Sequence, residues 1–129
     1  MNRVVFSSAT DEWSTPADTF RDLNAEFGFV DDPCPMDGNV DGLMREWKSP
    51  CFINPPYSKC AAFIEKAFIE HAAGKTVVLL VPARTDTRWW HRFAMKATEI
   101  RFIKGRLKFG GSKNSAPFPS AVIVFKGTA

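Results

Sequence analysis

The 129-residue chain has no long apolar run, few cysteines and only two histidines, and each shortage excludes a class of protein. Its longest apolar stretches, such as Thr76 to Val81, fall far below the roughly 18 residues that a membrane-spanning helix needs. No basic-then-apolar leader opens it, so secretion is not expected. The three cysteines, Cys34, Cys51 and Cys60, are unclustered and complete no zinc pattern with the histidines, so reduced thiols in a cytosol are expected and no metal is. Internal repeats and low-complexity segments are also missing. What is present, 45% hydrophobic and 24% charged residues, suffices to bury one core and suggests a single domain over residues 1–129.

A net charge of +3 conceals a strong asymmetry. Met1 to Trp47 carries ten acidic and three basic residues, whereas Arg84 to Lys113 carries nine basic and two acidic ones. Aromatic residues lie among the latter charges (Trp89, Trp90, Phe102, Phe109), as on a face that binds a polyanion. A solvated charged surface would look the same, so charge alone does not decide.

The periodicity predicts alternating helices and strands. Ser14-Thr15-Pro16 reads as a capped helix start before Ala17 to Phe27, with Phe20, Leu23 and Phe27 on one stripe. Short strands are expected at Phe27 to Asp31 and Pro50 to Asn54, and a helix from Lys59 to Ala73 that closes at Gly74. Thr76 to Val81 reads as a buried parallel strand, Thr85 to Ala97 as a helix, and Ile100 to Phe109 and Ala121 to Phe125 as two more strands. This alternation implies an α/β sheet with helices on its faces.

Open α/β sheets bind ligands at the carboxyl ends of their strands, and two such ends stand out. The first is Asn54-Pro55-Pro56-Tyr57. Two prolines stiffen the turn and leave carbonyl groups available as acceptors. The Asn54 side-chain carbonyl and the Pro55 carbonyl can accept both hydrogens of an exocyclic amine, while Tyr57 offers a ring on which a base can stack. Such a site draws electron density onto an amine nitrogen that then attacks an electrophilic methyl, with no metal required. The second strand end is Asp31-Asp32-Pro33-Cys34-Pro35.

With Asn54-Pro55-Pro56-Tyr57 in place, the chain resembles the DNA amino-methyltransferases that use S-adenosylmethionine, and more specifically the phage-type DNA adenine-N6 methyltransferase family. The resemblance is carried by seven islands: Asp11 to Pro16; Leu23-Asn24 with Glu26 to Phe29; Asp41-Gly42-Leu43 with Trp47; Phe52 to Ser58; Pro82 to Thr87; Gly105-Arg106-Leu107 with Phe109; and Pro117 to Ala121. It implies that Asn54, Pro55, Pro56 and Tyr57 are catalytic. It further implies that Thr15, Pro16, Asp32, Pro33, Asp37 and Asp41 surround S-adenosylmethionine, with Asp32 on its ammonium. Arg84, Arg88, Lys104, Arg106, Lys108, Phe109 and Lys113 are then the expected contacts to double-stranded DNA carrying the target adenine.

The resemblance also implies a Rossmann-like methyltransferase sheet, mostly parallel, but in abbreviated form. Eighteen residues separate Asp32 from Cys51, and one crossover alone needs about 10–12. Two of the family's usual strands therefore cannot fit, which leaves about five strands in the order 1-4-5-7-6. Most amino-methyltransferases place glycines after the first acidic strand end, where this chain has Pro33 and Pro35. An exposed first strand would invite a homodimer, and no separate target-recognition domain is expected. A cytoplasmic location in a bacterial host, from a phage or prophage gene, follows from the resemblance. Alternatives are a non-catalytic DNA-binding relative that has lost the cofactor, or methylation of cytosine N4, a free nucleotide or RNA.

Overall fold

A computed structural model of the chain describes residues 14–35, 41–108 and 116–128. Three α-helices, α1 (Ala17–Phe27), α2 (Cys60–Ala72) and α3 (Arg88–Arg92), accompany four strands, β1 (Cys51–Ile53), β2 (Val77–Pro82), β3 (Glu99–Phe102) and β4 (Ser120–Phe125). The strands form one sheet in the order β1-β2-β4-β3. β1 pairs with β2 in parallel, while β4 runs antiparallel to both of its neighbours. The sheet is therefore mixed, and the expectation of a mostly parallel sheet is corrected at β4.

The expected first strand is reduced to an isolated parallel bridge between Asp31 and Cys51. Around it, Val30 N–H donates to the Pro50 carbonyl and Phe52 N–H to the Asp31 carbonyl. Pro33, two residues on, has no N–H to continue a ladder, so pairing stops after one step. Among the described residues, four strands plus this bridge stand where about five strands are expected.

Alternation of side chains along the strands builds two apolar layers. Ile53, Val77, Leu79, Ala121, Ile123 and Phe125 pack with Phe63, Ile64 and Ala67 of α2, Trp90 of α3 and Trp47. Phe52, Val78, Leu80, Val122 and Val124 pack with Leu23 of α1 and with Ala116 and Phe118. Every residue of β2 and β4 is buried, which fits the apolar runs Val77 to Pro82 and Ala121 to Phe125. Truncating Leu79 at this centre would cost about 2–5 kcal/mol.

Helix boundaries follow local chemistry. α1 closes where Gly28 takes the left-handed conformation (φ 66°) and donates its N–H to the Asn24 carbonyl. α3 is shorter than the helix expected over Thr85 to Ala97, because Thr87 Oγ1 accepts the Trp90 N–H and caps the helix one residue before Arg88. Past Phe93 the chain tightens into a 3₁₀ turn, Ala94–Lys96. β3 ends at Phe102 rather than Phe109, and Gly105 beyond it has φ 76°.

One buried carboxylate ties α2 to the sheet. Glu70, 7% exposed, accepts from Lys75 Nζ at 2.6 Å, from Lys66 Nζ at 3.0 Å and from the Trp47 N–H at 3.4 Å. Burial pushes its pKa up, but these donors outweigh burial and hold it below its ordinary value.

Candidate active site

Asn54-Pro55-Pro56 leaves the end of β1 as an extended turn, and Tyr57–Lys59 winds into a 3₁₀ turn that leads into α2. Pro55 and Pro56 are buried and Asn54 is half-buried. The Asn54 amide is tied to a distant segment, since its Nδ2 donates to Thr15 Oγ1 at 3.0 Å. Thr15 is thus not the helix cap that its sequence suggests. The residue before α1 is Pro16, and no side chain caps that end.

A cavity of about 300 Å³ borders the Asn54 end of the turn, and Thr15, Phe20, Asp32, Cys34, Phe52 and Asn54 line it. Two of the expected cofactor residues, Thr15 and Asp32, therefore meet Asn54 in one place. Pro16 and Pro33 are not on this lining, and Pro33 is buried. A Cβ on Gly42 would overlap the Pro33 carbonyl oxygen. The glycine that this turn lacks in its own sequence is supplied by Gly42, eight residues after Cys34, where close approach of two backbones demands it. Gly42 also presents its carbonyl to Trp47 Nε1 at 2.7 Å. Asp37 and the Asp41 side chain lie outside the described residues.

The two adjacent aspartates at this strand end do different work. Asp31 accepts a bidentate pair from Arg45 at 2.8 and 2.9 Å and the Lys48 N–H at 2.9 Å. Burial pushes the Asp31 carboxyl up, but Arg45 and the Lys48 N–H outweigh it and hold the pKa below its usual value. Asp32 is exposed at the cavity, and its Oδ1 accepts the Cys34 N–H at 3.2 Å. Nearby, burial first and then the charges of Asp31 and Glu70 push the Cys51 thiol up to about 12, so Cys51 stays protonated and is no nucleophile.

A second cavity, about 350 Å³, borders the Tyr57 end and is lined by Tyr57, Ser58, Arg84, Thr87 and Trp89 among others. The Arg84 guanidinium lies over the Tyr57 ring, 4.8 Å from its centroid, and the Phe118 ring packs against it at 5.1 Å. Tyr57 Oη is buried without a hydrogen-bond partner among the described residues. Of the described residues expected to touch DNA, only Arg84 lines either of these cavities. Arg88, Lys104, Arg106 and Lys108 are exposed, and Arg106 Nη1 donates to the Ala116 carbonyl at 3.4 Å. Phe109 and Lys113 lie outside the described residues. Arg101, in the same basic stretch, is held by Glu26 and Glu99.

Sequence reasoning missed Phe118 as a neighbour of Tyr57. The available signal was its place between Pro117 and Pro119, which stiffens the segment that presents it.

Residues 4–126 match the family model described as DNA N-6-adenine-methyltransferase (Dam). A DNA N-6-adenine-methyltransferase of Escherichia phage T1 is 28% identical over 110 residues, which cover 75% of this chain and 46% of that protein. One from Haemophilus phage HP1 (strain HP1c1) is 30% identical over 110 residues, covering 74% of this chain and 64% of that protein. The match thus spans about half to two-thirds of the length of these curated relatives. No solved structure matches the chain.

Proposed function

Because the chain belongs to the DNA N-6-adenine-methyltransferase (Dam) family, we propose that it transfers a methyl group from S-adenosylmethionine to the exocyclic N6 amine of adenine in double-stranded DNA. The single observation that supports this most is the meeting of Thr15, Asp32 and Asn54 around one cavity at the end of β1. The cavity suits the methyl donor chemically. Asp32 supplies a carboxylate for an ammonium, and Phe20 and Phe52 supply apolar ring surface. Bound there, S-adenosylmethionine supplies an electrophilic methyl.

The chain's own part is to hold the amine. Asn54 Oδ1 and the Pro55 carbonyl accept the two N6 hydrogens, which raises electron density on nitrogen and aims its lone pair. Tyr57 takes the flipped base on its ring. Asn54, Pro55, Tyr57 and Phe118 border a void of only about 10 Å³, and Arg84 and Phe118 both pack on the Tyr57 ring, so in this reading a base is admitted as one of them moves aside. DNA phosphate offers Arg84 a partner that can draw it from the ring. The exposed Arg88, Lys104, Arg106 and Lys108 add sequence-independent attraction.

The remaining finer readings are proposals too. A Rossmann-like, single-domain sheet is supported by the order Asp31 bridge, β1, β2, β4, β3, which follows the abbreviated order 1-4-5-7-6. A homodimer is supported by Val30, 62% exposed at the bridged margin, and is tested by light scattering. No described helix is long and apolar enough to cross a membrane, and the phage relatives support a place in the host cytoplasm.

Transfer of labelled methyl from S-adenosylmethionine to DNA, followed by digestion to nucleosides, tests the reaction. Label in N6-methyladenine that disappears in Asn54→Ala, with DNA affinity retained, is the expected result. Label in N4-methylcytosine would change the substrate, and DNA binding with no transfer would leave a non-catalytic relative.

A further inference from the structure

We propose that Thr15 is a positioning residue for catalysis: its hydroxyl oxygen holds the Asn54 side-chain amide so that the carbonyl, not the NH₂ group, is presented to the target amine. The inference rests on the methyltransferase reading above and deepens it. A primary amide is a planar fork with an acceptor on one tine and two donors on the other. Turned the wrong way, Asn54 would set its own N–H groups against those of an incoming amine, and the site would repel its substrate.

The structure supplies a specific hold on the donor tine. Asn54 Nδ2 donates to Thr15 Oγ1 at 3.0 Å, in partly buried surroundings, across 39 residues of sequence. In this arrangement the hydroxyl oxygen accepts, so the donor tine of Asn54 faces Thr15 and the acceptor tine, on the other side of the planar fork, faces away from it. Thr15 is itself well fixed. It precedes Pro16, which restricts its backbone to extended conformations, and Pro16 leads into α1, which is anchored on the sheet through buried Leu23. Both Thr15 and Asn54 line the cavity that contains Asp32, so the wall of the donor site and the orientation of the catalytic amide share one side chain.

This role differs from a contact to the methyl donor, and the two separate experimentally. Thr15→Val keeps the shape but removes the acceptor, and Thr15→Ser restores it. In the full chain, Thr15→Val is expected to lower kcat for methyl transfer about 10–100-fold, with the Kd values for S-adenosylmethionine and DNA each within about twofold of wild type. Thr15→Ser should return most of kcat. A readout free of activity accompanies this: in ¹H–¹⁵N spectra, an Asn54 Nδ2 hydrogen, identified by its loss in Asn54→Ala, should exchange with solvent more slowly in wild type and Thr15→Ser than in Thr15→Val. Unchanged kcat with unchanged amide exchange in Thr15→Val overturns the proposal. So does a loss that vanishes at saturating S-adenosylmethionine, which would make Thr15 a donor contact alone. If wild type transfers no methyl group, the reaction reading fails, while the amide exchange still decides whether Thr15 holds Asn54.

Discussion

The two ends of the Asn54–Tyr57 turn are built on different principles. At the Asn54 end the polar groups are tied to one another: Asp31 to Arg45 and Lys48, Asn54 to Thr15, and Pro33 pressed on Gly42. At the Tyr57 end the charges are exposed, and Arg84 rests on an aromatic ring. The first region is organised before any ligand arrives, as reaction geometry demands. The second keeps cations at the surface, where a polyanion can recruit them at little desolvation cost.

This contrast can be broken most forcefully at Asp31. Asp31→Asn should lose about 1–3 kcal/mol of stability in chemical denaturation, because Arg45 keeps its charge but not its partner. Its folded pKa is lowered, so the wild-type contribution is present above the ordinary carboxylate range near pH 4 and is lost as pH falls through the folded value. Acid titration of unfolding in the mutant should lack that component. Asp32→Asn, one residue on, should change stability by no more than about 0.5 kcal/mol. Calorimetric titration should instead show S-adenosylmethionine binding weakened about tenfold, equal to about 1.4 kcal/mol. Equal effects at both aspartates would erase the distinction between them.

At the other end, Arg84→Ala should weaken DNA binding several-fold and reduce the slope of log affinity against log salt by about one, as for a single phosphate contact. Stability should barely move, since Arg84 is exposed. The smallest effect is expected for Tyr57→Phe. The hydroxyl it removes is buried without a described partner, so the melting temperature should stay level or rise, and methyl transfer should persist through the retained ring.

Much of this organisation was legible in the chain. The extent of α1, the apolar run of β2 and the position of the Asn54–Tyr57 turn follow from local rules: Pro16 and Gly28 bracket a periodic segment, continuous burial erases alternation, and prolines end a strand. Pairing was less legible. Nothing in Phe27 to Asp31 announces that it makes a single bridge, because the stop comes from Pro33 and from what Arg45 and Lys48 do to Asp31. In α2, Ala62 and Ile69 share helical spacing with Phe63, Ala67 and Glu70 in the sequence, yet both are exposed while Cys60 and Ile64 are buried. The site's long-range bond, Asn54 to Thr15, and the Arg101 to Glu26 pair depend on α1 docking against the sheet, and no local pattern encodes that docking.

The close approach of Gly42 to Pro33 has a bearing on how mutants of this chain should be sorted. Any side chain at position 42 must push the turn at Pro33 or the segment that carries Trp47, whose indole nitrogen holds the Gly42 carbonyl and whose rings fill the core. In a genetic screen for lost methylation, alleles at Gly42 would therefore behave as temperature-sensitive folding defects with low protein levels, although the residue borders the same strand end as Asp32. Measuring abundance alongside activity separates such alleles from those that damage the chemistry.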